Sequence, residues 1–290
     1  MPLSSPLKLA LPLNSVDQTL SEINGLISLP EIYQKIRQLM DDPKSEIDHF
    51  AVVVSSDPNL TATVLRVANS AFFGFPGKID SINRAVNLLG VGQLHDMVLG
   101  TSAIASLDLP NDIMPLKTFW RLSLFSGVLT RLLASQLKIP RSERLFVIGL
   151  LHEIGHLVIY AKYPEQALQA IDHVLAGKQM LHVAEHQLLG QHYGEIGARL
   201  MDQWHLPANF QEIVHFQPTP SQAQSYSMET ALLHIAHGYA QQVICKSDQA
   251  LDQLIVPDAW KVLDLTPDQV ESTLDNAQTV CSDMEKLMLN

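Results

Sequence analysis

Two histidines and a glutamate form the pattern in this chain with the clearest capacity for chemistry. His152-Glu153-Ile154-Gly155-His156 spells H-E-x-x-H, in which two imidazoles on one helical face bind zinc and the glutamate activates water. A catalytic zinc site needs a third protein ligand. The extended form of the pattern requires glycine and histidine where this chain has Ile159 and Lys162. A glutamate further along the chain, such as Glu185, is the alternative third ligand. A helix-rich chain supplies such a residue by chance, so the sequence disfavours a zinc peptidase.

The residues around this pattern resemble a different family. The run from Gly149 to Val158 reads G-L-L-H-E-I-G-H-L-V, which is similar to the G-L-L-H-D-I-G-K-L segment of HD-superfamily proteins. Five more segments resemble landmarks of the HD-related output domain (HDOD) family of bacterial signalling proteins: D-P-N-L-T at 57–61, V-L-R-V-A-N-S at 64–70, S-I-N-R-A-V-N-L-L-G at 81–90, F-W-R at 119–121 and W-H-L-P at 204–207. Several ordered motifs are more specific than one H-E-x-x-H. The resemblance extends from about Ser28 to Ala240.

This resemblance implies a helical N-terminal lobe packed on an HD-like helical lobe. Catalytic HD proteins hold one or two divalent metals there, and the metals generate hydroxide for phosphoester hydrolysis. His152 matches the histidine of the HD pair, and Glu153 replaces the aspartate. Leu122 stands where the family has its first histidine ligand. Leucine has no lone pair, so one ligand position is lost.

The remaining ligand positions lie further along the chain. His192 matches a family histidine, and His215 matches the first of a frequent His-His pair, with Phe216 in second place. His237 stands in place of the closing aspartate. The resemblance therefore implies a degenerate metal site, with these candidate ligands: His152, Glu153, His192, His215 and His237.

This altered ligand set favours a module without catalytic residues. We expect a non-catalytic signal-transduction or output module that binds a partner protein or a small signalling ligand. We expect this module to bind either no cofactor or a single, weakly held divalent metal. A metal-dependent phosphohydrolase of the HD superfamily is the alternative, and the zinc peptidase is the third. The signalling role depends on the resemblance alone.

Composition limits the partners and the compartment. The 290 residues are 47% hydrophobic and carry a net charge of −11. Such a chain repels phosphate backbones, and the densest basic stretch, residues 138–144, has only three positive charges. Nucleic acid is therefore not an expected partner. Only two cysteines occur, Cys245 and Cys281, which is typical of reduced thiols in the cytoplasm.

The longest apolar stretch predicts a core helix and no membrane span. Leu145 to Ala161 contains three polar side chains near its centre: His152, Glu153 and His156. Each such group costs roughly 2–3 kcal/mol in a bilayer. We predict one helix from Ser142 to Tyr160 within a protein that has no membrane association.

The ends of the helices can be read from capping residues. Ser28 with Glu31, and Thr266 with Gln269, have the spacing of capping boxes. Asp57 precedes a proline and predicts another helix start. Apolar residues recur at helical spacing between such signals, and no strand alternation is found. The fold class is therefore predicted as all-α, with two helical lobes.

The order of these signals along the chain predicts four regions. They are an N-terminal tail (1–20), an N-terminal helical lobe (21–110), an HD-like helical lobe (115–245) and a C-terminal helical extension (246–290). Residues 107–115 contain two prolines and two aspartates, which is typical of an exposed linker.

A second H-D dipeptide occurs at His95-Asp96. No G-L-L run precedes it, and no histidine cluster follows at the family spacing. We interpret this pair as part of an exposed helix face in the first lobe.

Overall fold

The computed structural model describes residues 15–22, 30–75, 77–106, 112–177 and 179–289. Within these ranges every regular element is a helix and no strand occurs, so the predicted all-α class is confirmed. The predicted cap at Ser28 and residues 107–111 of the predicted linker lie outside the described residues.

The first helices belong to the N-terminal part of the chain. They are α1 (Val16–Ser21), α2 (Glu31–Asp41), α3 (Ile47–Ser55), α4 (Pro58–Ala68) and α5 (Ile82–Ser106). The Asp57 carboxylate accepts hydrogen bonds from the backbone N–H groups of Asn59 and Leu60, so this predicted helix start is confirmed. Helix α5 has one interruption, at Gly90, whose φ of 79° is left-handed and suits glycine.

The candidate metal ligands named above lie on the later helices or next to their ends. These helices are α6 (Leu116–Gln136), α7 (Ser142–Leu151), α8 (Ile154–Lys162), α9 (Pro164–Leu175), α10 (Leu181–Leu189), α11 (Tyr193–Gln203), α12 (Ala208–Phe216) and α13 (Ser227–Ile244), followed by α14 (Leu251–Leu254), α15 (Pro257–Leu263) and α16 (Pro267–Met288). A short 3₁₀ turn, Pro220–Gln222, lies between α12 and α13. Thr266 and Gln269 form the predicted capping box at the start of α16.

One hydrophobic core runs through both sets of helices. Helices α2 to α5 pack on one another, α6 packs against α7 and α13, and α5 contacts α7. Helix α16 packs along α6 and also touches α4, and Arg121 of α6 donates to Glu285 of α16 at 2.9 Å. These contacts join helices α2 to α7, α13 and α16 into one packed unit.

Residues 16–20 of the predicted N-terminal tail form most of α1, which packs on α11. Thr19 and Leu20 are fully buried. The Thr19 hydroxyl lies 3.0 Å from the Tyr163 hydroxyl and accepts a hydrogen bond from the Gln191 amide at 2.9 Å. This short helix therefore depends on tertiary contacts with the site-bearing helices for its place.

The interpretation of His95-Asp96 as an exposed pair is wrong, because the two residues are only 6% and 5% exposed. His95 Nδ1 lies 3.0 Å from Asp96 Oδ1, and its Nε2 lies 3.0 Å from the Tyr33 hydroxyl. Arg144 of α7 donates to the other Asp96 oxygen at 3.0 Å. The pair therefore belongs to a buried polar link between α2, α5 and α7, where each group is hydrogen-bonded.

The prediction of one helix from Ser142 to Tyr160 is wrong at its centre. Helix α7 ends at Leu151, and α8 begins at Ile154. The Gln217 side chain donates to the His152 carbonyl at 2.7 Å, and the His156 N–H bonds to the Glu153 carbonyl at 2.8 Å. The helical bond from His156 to the His152 carbonyl is thereby replaced, and the chain turns at the two residues that could bind metal.

Residues 142–162 are long and apolar enough to cross a membrane, and their most apolar 18-residue window has a mean hydropathy of 1.4. However, 89% of the residues in their most apolar window are buried inside the protein. Such burial is typical of a core helix in a globular protein. This agrees with the predicted core position of the stretch.

Candidate metal centre

Three side chains from two parts of the chain meet at the turn between α7 and α8. His152 Nε2 lies 2.9 Å from His237 Nδ1 of α13. Glu153 Oε1 lies 3.7 Å from His152 Nε2 and 3.9 Å from His237 Nδ1. Within the described residues, this is the group of three metal-ligating side chains whose donor atoms all lie within 4.8 Å of one another. We call it the trio.

Hydrogen bonds fix the proton positions in the trio. His152 Nδ1 lies 2.5 Å from the Gly149 carbonyl and must donate to it, so the lone pair of His152 is on Nε2. His237 Nδ1 then donates to His152 Nε2, and His237 Nε2 accepts from the Gln241 amide at 2.7 Å. Burial lowers the pKa of His152 and lowers that of His237 to about 3. Both rings are therefore neutral. Ligation by His237 Nδ1 requires the other tautomer, in which the proton is on Nε2 and the oxygen of the Gln241 amide accepts it.

One atom of the trio has no hydrogen bond. Glu153 Oε1 is buried and lacks a hydrogen-bond partner, although such buried oxygens are normally satisfied. Two neutral imidazoles and this carboxylate oxygen suit one divalent ion of the Zn²⁺ or Fe²⁺ type. The residues present therefore fit a single ion.

His156 cannot complete the zinc-peptidase pattern, because both of its ring nitrogens face carboxylates. Nδ1 lies 2.6 Å from Glu153 Oε2, and Nε2 lies 2.9 Å from Glu185 Oε1. Burial lowers the pKa of His156, but the carboxylates of Glu153 and Glu185 outweigh it and raise the pKa to about 10. An imidazolium has no lone pair for a metal. The peptidase's second histidine and its candidate third ligand, Glu185, are instead bound to each other.

The structure places the other two candidate ligands outside the trio. His192 is the N-cap of α11, where its Nδ1 accepts from the Gly194 N–H at 3.1 Å. His215 lies near the end of α12, with its ring centre 6.2 Å from that of His192. Leu122 is 2% exposed and belongs to α6, which packs against both α7 and α13. Three of the five candidate ligands are thus brought together.

A family model for the HDOD domain matches residues 26–220. The chain belongs to the HDOD family. The predicted family resemblance is thereby confirmed. A curated relative, an uncharacterized protein of Treponema pallidum (strain Nichols), is 26% identical over 189 residues, which are 64% of this chain and 36% of the relative. The chain therefore matches about a third of that relative's length.

Solved structures share the fold of this HDOD protein. An HDOD domain protein with unknown function from Geobacter sulfurreducens is 21% identical with a TM-score of 0.73, and the match covers 95% of this chain and 98% of that one. A "Putative phosphohydrolase" from Shewanella amazonensis SB2B is 25% identical with a TM-score of 0.73, covering 93% and 97%. A "Putative signal transduction protein" from Marinobacter aquaeolei VT8 is 21% identical with a TM-score of 0.65, covering 98% and 68%. The first and third similarities concern the fold alone.

A cavity of about 360 Å³ opens beside the trio of this HDOD protein and is lined in part by His237 and Gln241. Three further glutamines line it: Gln179, Gln249 and Gln253. Its described lining has one carboxylate, that of Asp252, and no lysine or arginine. Amides and neutral imidazoles both donate and accept hydrogen bonds. The lining therefore suits an uncharged, hydrogen-bonding ligand better than a phosphate.

Sequence reasoning missed the residues that support the trio. Gln241 lies four residues after His237 on α13, a helical spacing that places both on one face. That spacing could have predicted from the sequence that Gln241 contacts His237. Gln217 is separated from His152 by 65 residues, so no local pattern could reveal it. The His192-x-x-Glu195 spacing was also readable, since His192 and Glu195 form a capping box at the start of α11.

We expect His234, another residue of the cavity wall, to make the protein sensitive to acid. His234 Nδ1 donates to the Gln217 carbonyl at 2.7 Å, and Nε2 accepts from the Val256 N–H at 3.0 Å. Burial lowers the pKa of His234 to about 4. The unfolded chain, with an ordinary histidine pKa of about 6.5, therefore binds a proton first as the pH falls. His234 should thus reduce the unfolding free energy by about 2 kcal/mol between pH 7.5 and 5.0.

Urea unfolding at the two pH values measures this loss. His234→Gln should lower stability at pH 7.5 but show a smaller decrease towards pH 5.0. The same change at His173, a partly exposed histidine on α9, is the control and should leave the pH dependence of the wild type unaltered. An equal pH dependence in the wild type and His234→Gln would contradict the prediction.

Proposed function

We propose that this HDOD protein is a non-catalytic, cytoplasmic output module of bacterial signal transduction, which binds a small ligand or a partner protein. The observation that carries the proposal is that the trio assembles donor atoms for one metal ion only. His152, Glu153 and His237 supply two nitrogens and one oxygen. A buried leucine, Leu122, stands where the family pattern requires another ligand.

The carboxylate of the trio is poorly placed to act as a general base. Glu153 Oε2 is held 2.6 Å from His156 Nδ1. Burial acts to raise the pKa of Glu153, but the charge of His156 and its hydrogen bond outweigh burial and lower the pKa well below its usual range. A base works best with a pKa near the working pH. The trio therefore lacks a group that could take a proton from water.

The described lining of the cavity beside the trio has no lysine or arginine, and its one cation, His156, already donates both N–H groups to Glu153 and Glu185. Phosphate sites generally use arginine, lysine or a cluster of backbone N–H groups. The described lining offers amides, imidazoles and the carboxylate of Asp252. These groups support a small, uncharged ligand as the molecule that the module senses.

A metal-dependent phosphohydrolase remains the second candidate function, because the unsatisfied oxygen of Glu153 faces two neutral imidazoles. A divalent ion bound by the trio would supply a Lewis acid. His152 would hold that ion through the Nε2 lone pair, and the Gly149 carbonyl would fix the orientation of its ring. His237 would ligate through Nδ1 in the tautomer whose Nε2–H donates to the oxygen of the Gln241 amide.

The test is a hydrolysis assay of the purified full chain. Manganese, iron, zinc and magnesium are supplied in turn, with phosphomonoesters, phosphodiesters and cyclic dinucleotides as substrates. We expect no turnover above the level of His152→Ala with any metal. Robust turnover with one of them, abolished in a His152→Ala variant whose circular dichroism spectrum is that of the wild type, would overturn the proposal in favour of the phosphohydrolase.

A further inference from the structure

A second group of metal-ligating side chains lies outside the trio, on α10 and at the start of α11. The segment His182-Val183-Ala184-Glu185-His186 spells H-x-x-E-H, the reverse order of the zinc-peptidase pattern. His182 and His186 are four residues apart on α10, so their side chains lie on one face of that helix. Such a pair can bind one transition-metal ion through two imidazoles.

Side chains from α11 approach this pair. Glu195 Oε2 lies 3.6 Å from His186 Nδ1 and 3.9 Å from His192 Nε2. The ring centre of His192 lies 5.8 Å from that of His182 and 6.3 Å from that of His186. The Glu195 carboxylate therefore lies beside the His186 and His192 imidazoles, and the His182 ring adjoins His192. The sequence alone did not indicate it, because Glu195 and the α10 pair come from separate helices.

The bonding state of each group decides which of them can ligate. His192 Nδ1 accepts from the Gly194 N–H, so its lone pair is already used as the cap of α11. No such bond holds the pair on α10, and the His186 side chain is 58% exposed. Burial, followed by the charge of His186, lowers the pKa of His182, which keeps that imidazole neutral. His182, His186 and Glu195 are thus the available ligands.

We propose that His182, His186 and Glu195 form a second, solvent-accessible site for a first-row transition-metal ion of the zinc type. Imidazole and carboxylate ligands suit Zn²⁺, Cu²⁺ and Ni²⁺. The donor atoms are more widely spaced than those of the trio, so binding an ion requires the His182 and His186 side chains to rotate towards Glu195. The proposal is independent of the function proposed above.

This site binds an ion but does not hydrolyse a peptide. The glutamate of the H-x-x-E-H pattern, Glu185, is buried, with one oxygen 2.9 Å from His156 Nε2 and the other accepting from the Tyr193 N–H at 3.0 Å. It therefore cannot activate a metal-bound water. His182 also lines the cavity beside the trio, so an ion at this site lies at the cavity rim.

The experiment is a Zn²⁺ titration of the metal-free full chain by calorimetry, in competition with a chelator of known affinity. His186→Ala removes an exposed side chain from α10 and should weaken this site at least tenfold. Glu153→Gln changes a ligand of the trio and the partner of His156 but none of the three proposed ligands, so it should leave the zinc affinity of this site unchanged. His173→Ala removes a histidine from α9 and should have no effect.

The outcomes separate the two sites. Zinc binding that is lost in His186→Ala and kept in Glu153→Gln supports the proposal. Zinc binding that is unchanged in the double variant His182→Ala/His186→Ala, with the circular dichroism spectrum of the wild type, overturns it. Glu195→Gln offers a second check, since it retains an oxygen to accept from the His192 N–H and should still weaken zinc binding.

Discussion

Alanine in place of Gly149 is expected to destabilise the protein by about 4 kcal/mol or more, which is enough to prevent folding of many domains. A Cβ atom at Gly149 would lie 2.5 Å from the Cα and 2.8 Å from the N of Gly127 on α6. These are backbone atoms, so they cannot rotate away. The reciprocal approach is equally close, because a Cβ at Gly127 would lie 2.4 Å from the Phe146 carbonyl. Helices α6 and α7 would have to separate along their crossing.

Gly92 provides the matched control. It lies within helix α5, and a Cβ there would meet nothing within 4 Å. Because alanine favours a helix over glycine by roughly 0.8–1 kcal/mol, Gly92→Ala should be neutral or stabilising. Guanidinium unfolding of both variants measures the difference. Wild-type stability of Gly149→Ala would contradict the prediction, because it would mean that α6 and α7 can separate at little cost.

The N-terminal ends of helices that have a local capping signal were predictable from the sequence. Asp57 and Thr266 cap their helices as the sequence indicated, because a cap involves residues only two or three positions apart. The start of α3 was less clear, since Glu46 caps this helix with His49 as its box partner. Such details depend on which of several adjacent polar residues the packing selects.

Features that depend on distant residues were not predictable. The break at His152 and Glu153 needs the Gln217 side chain, and the burial of Asp96 needs Arg144. Hydrophobic periodicity shows that a segment is helical and apolar, but it does not show which long-range hydrogen bond competes with a helical one. His237 was identified as a candidate ligand through the family resemblance. Periodicity alone could not show that it lies beside His152 and Glu153, because the contact joins residues far apart in the chain.

The other large effect comes from a buried group of charges, Glu153, His156 and Glu185, which we call the ion triad. Glu185→Ala should lower the unfolding free energy by about 3–5 kcal/mol, because it leaves a buried charge without one of its partners. His156 Nε2 would lose its acceptor at 2.9 Å, and the Tyr193 N–H would lose its acceptor at 3.0 Å. The His156 ring is stacked on Tyr193, with ring centres 4.0 Å apart, so it cannot readily turn towards water.

The control for this substitution is Glu165→Ala, which removes an exposed carboxylate from the first turn of α9. It should change the unfolding free energy by less than about 0.5 kcal/mol. Guanidinium unfolding at pH 7.5 gives both values. Equal stability of Glu185→Ala and the wild type would mean that His156 is neutral in the folded protein. One ring nitrogen of His156 would then carry a lone pair, and the H-E-x-x-H segment would regain the capacity to bind zinc that the ion triad denies it.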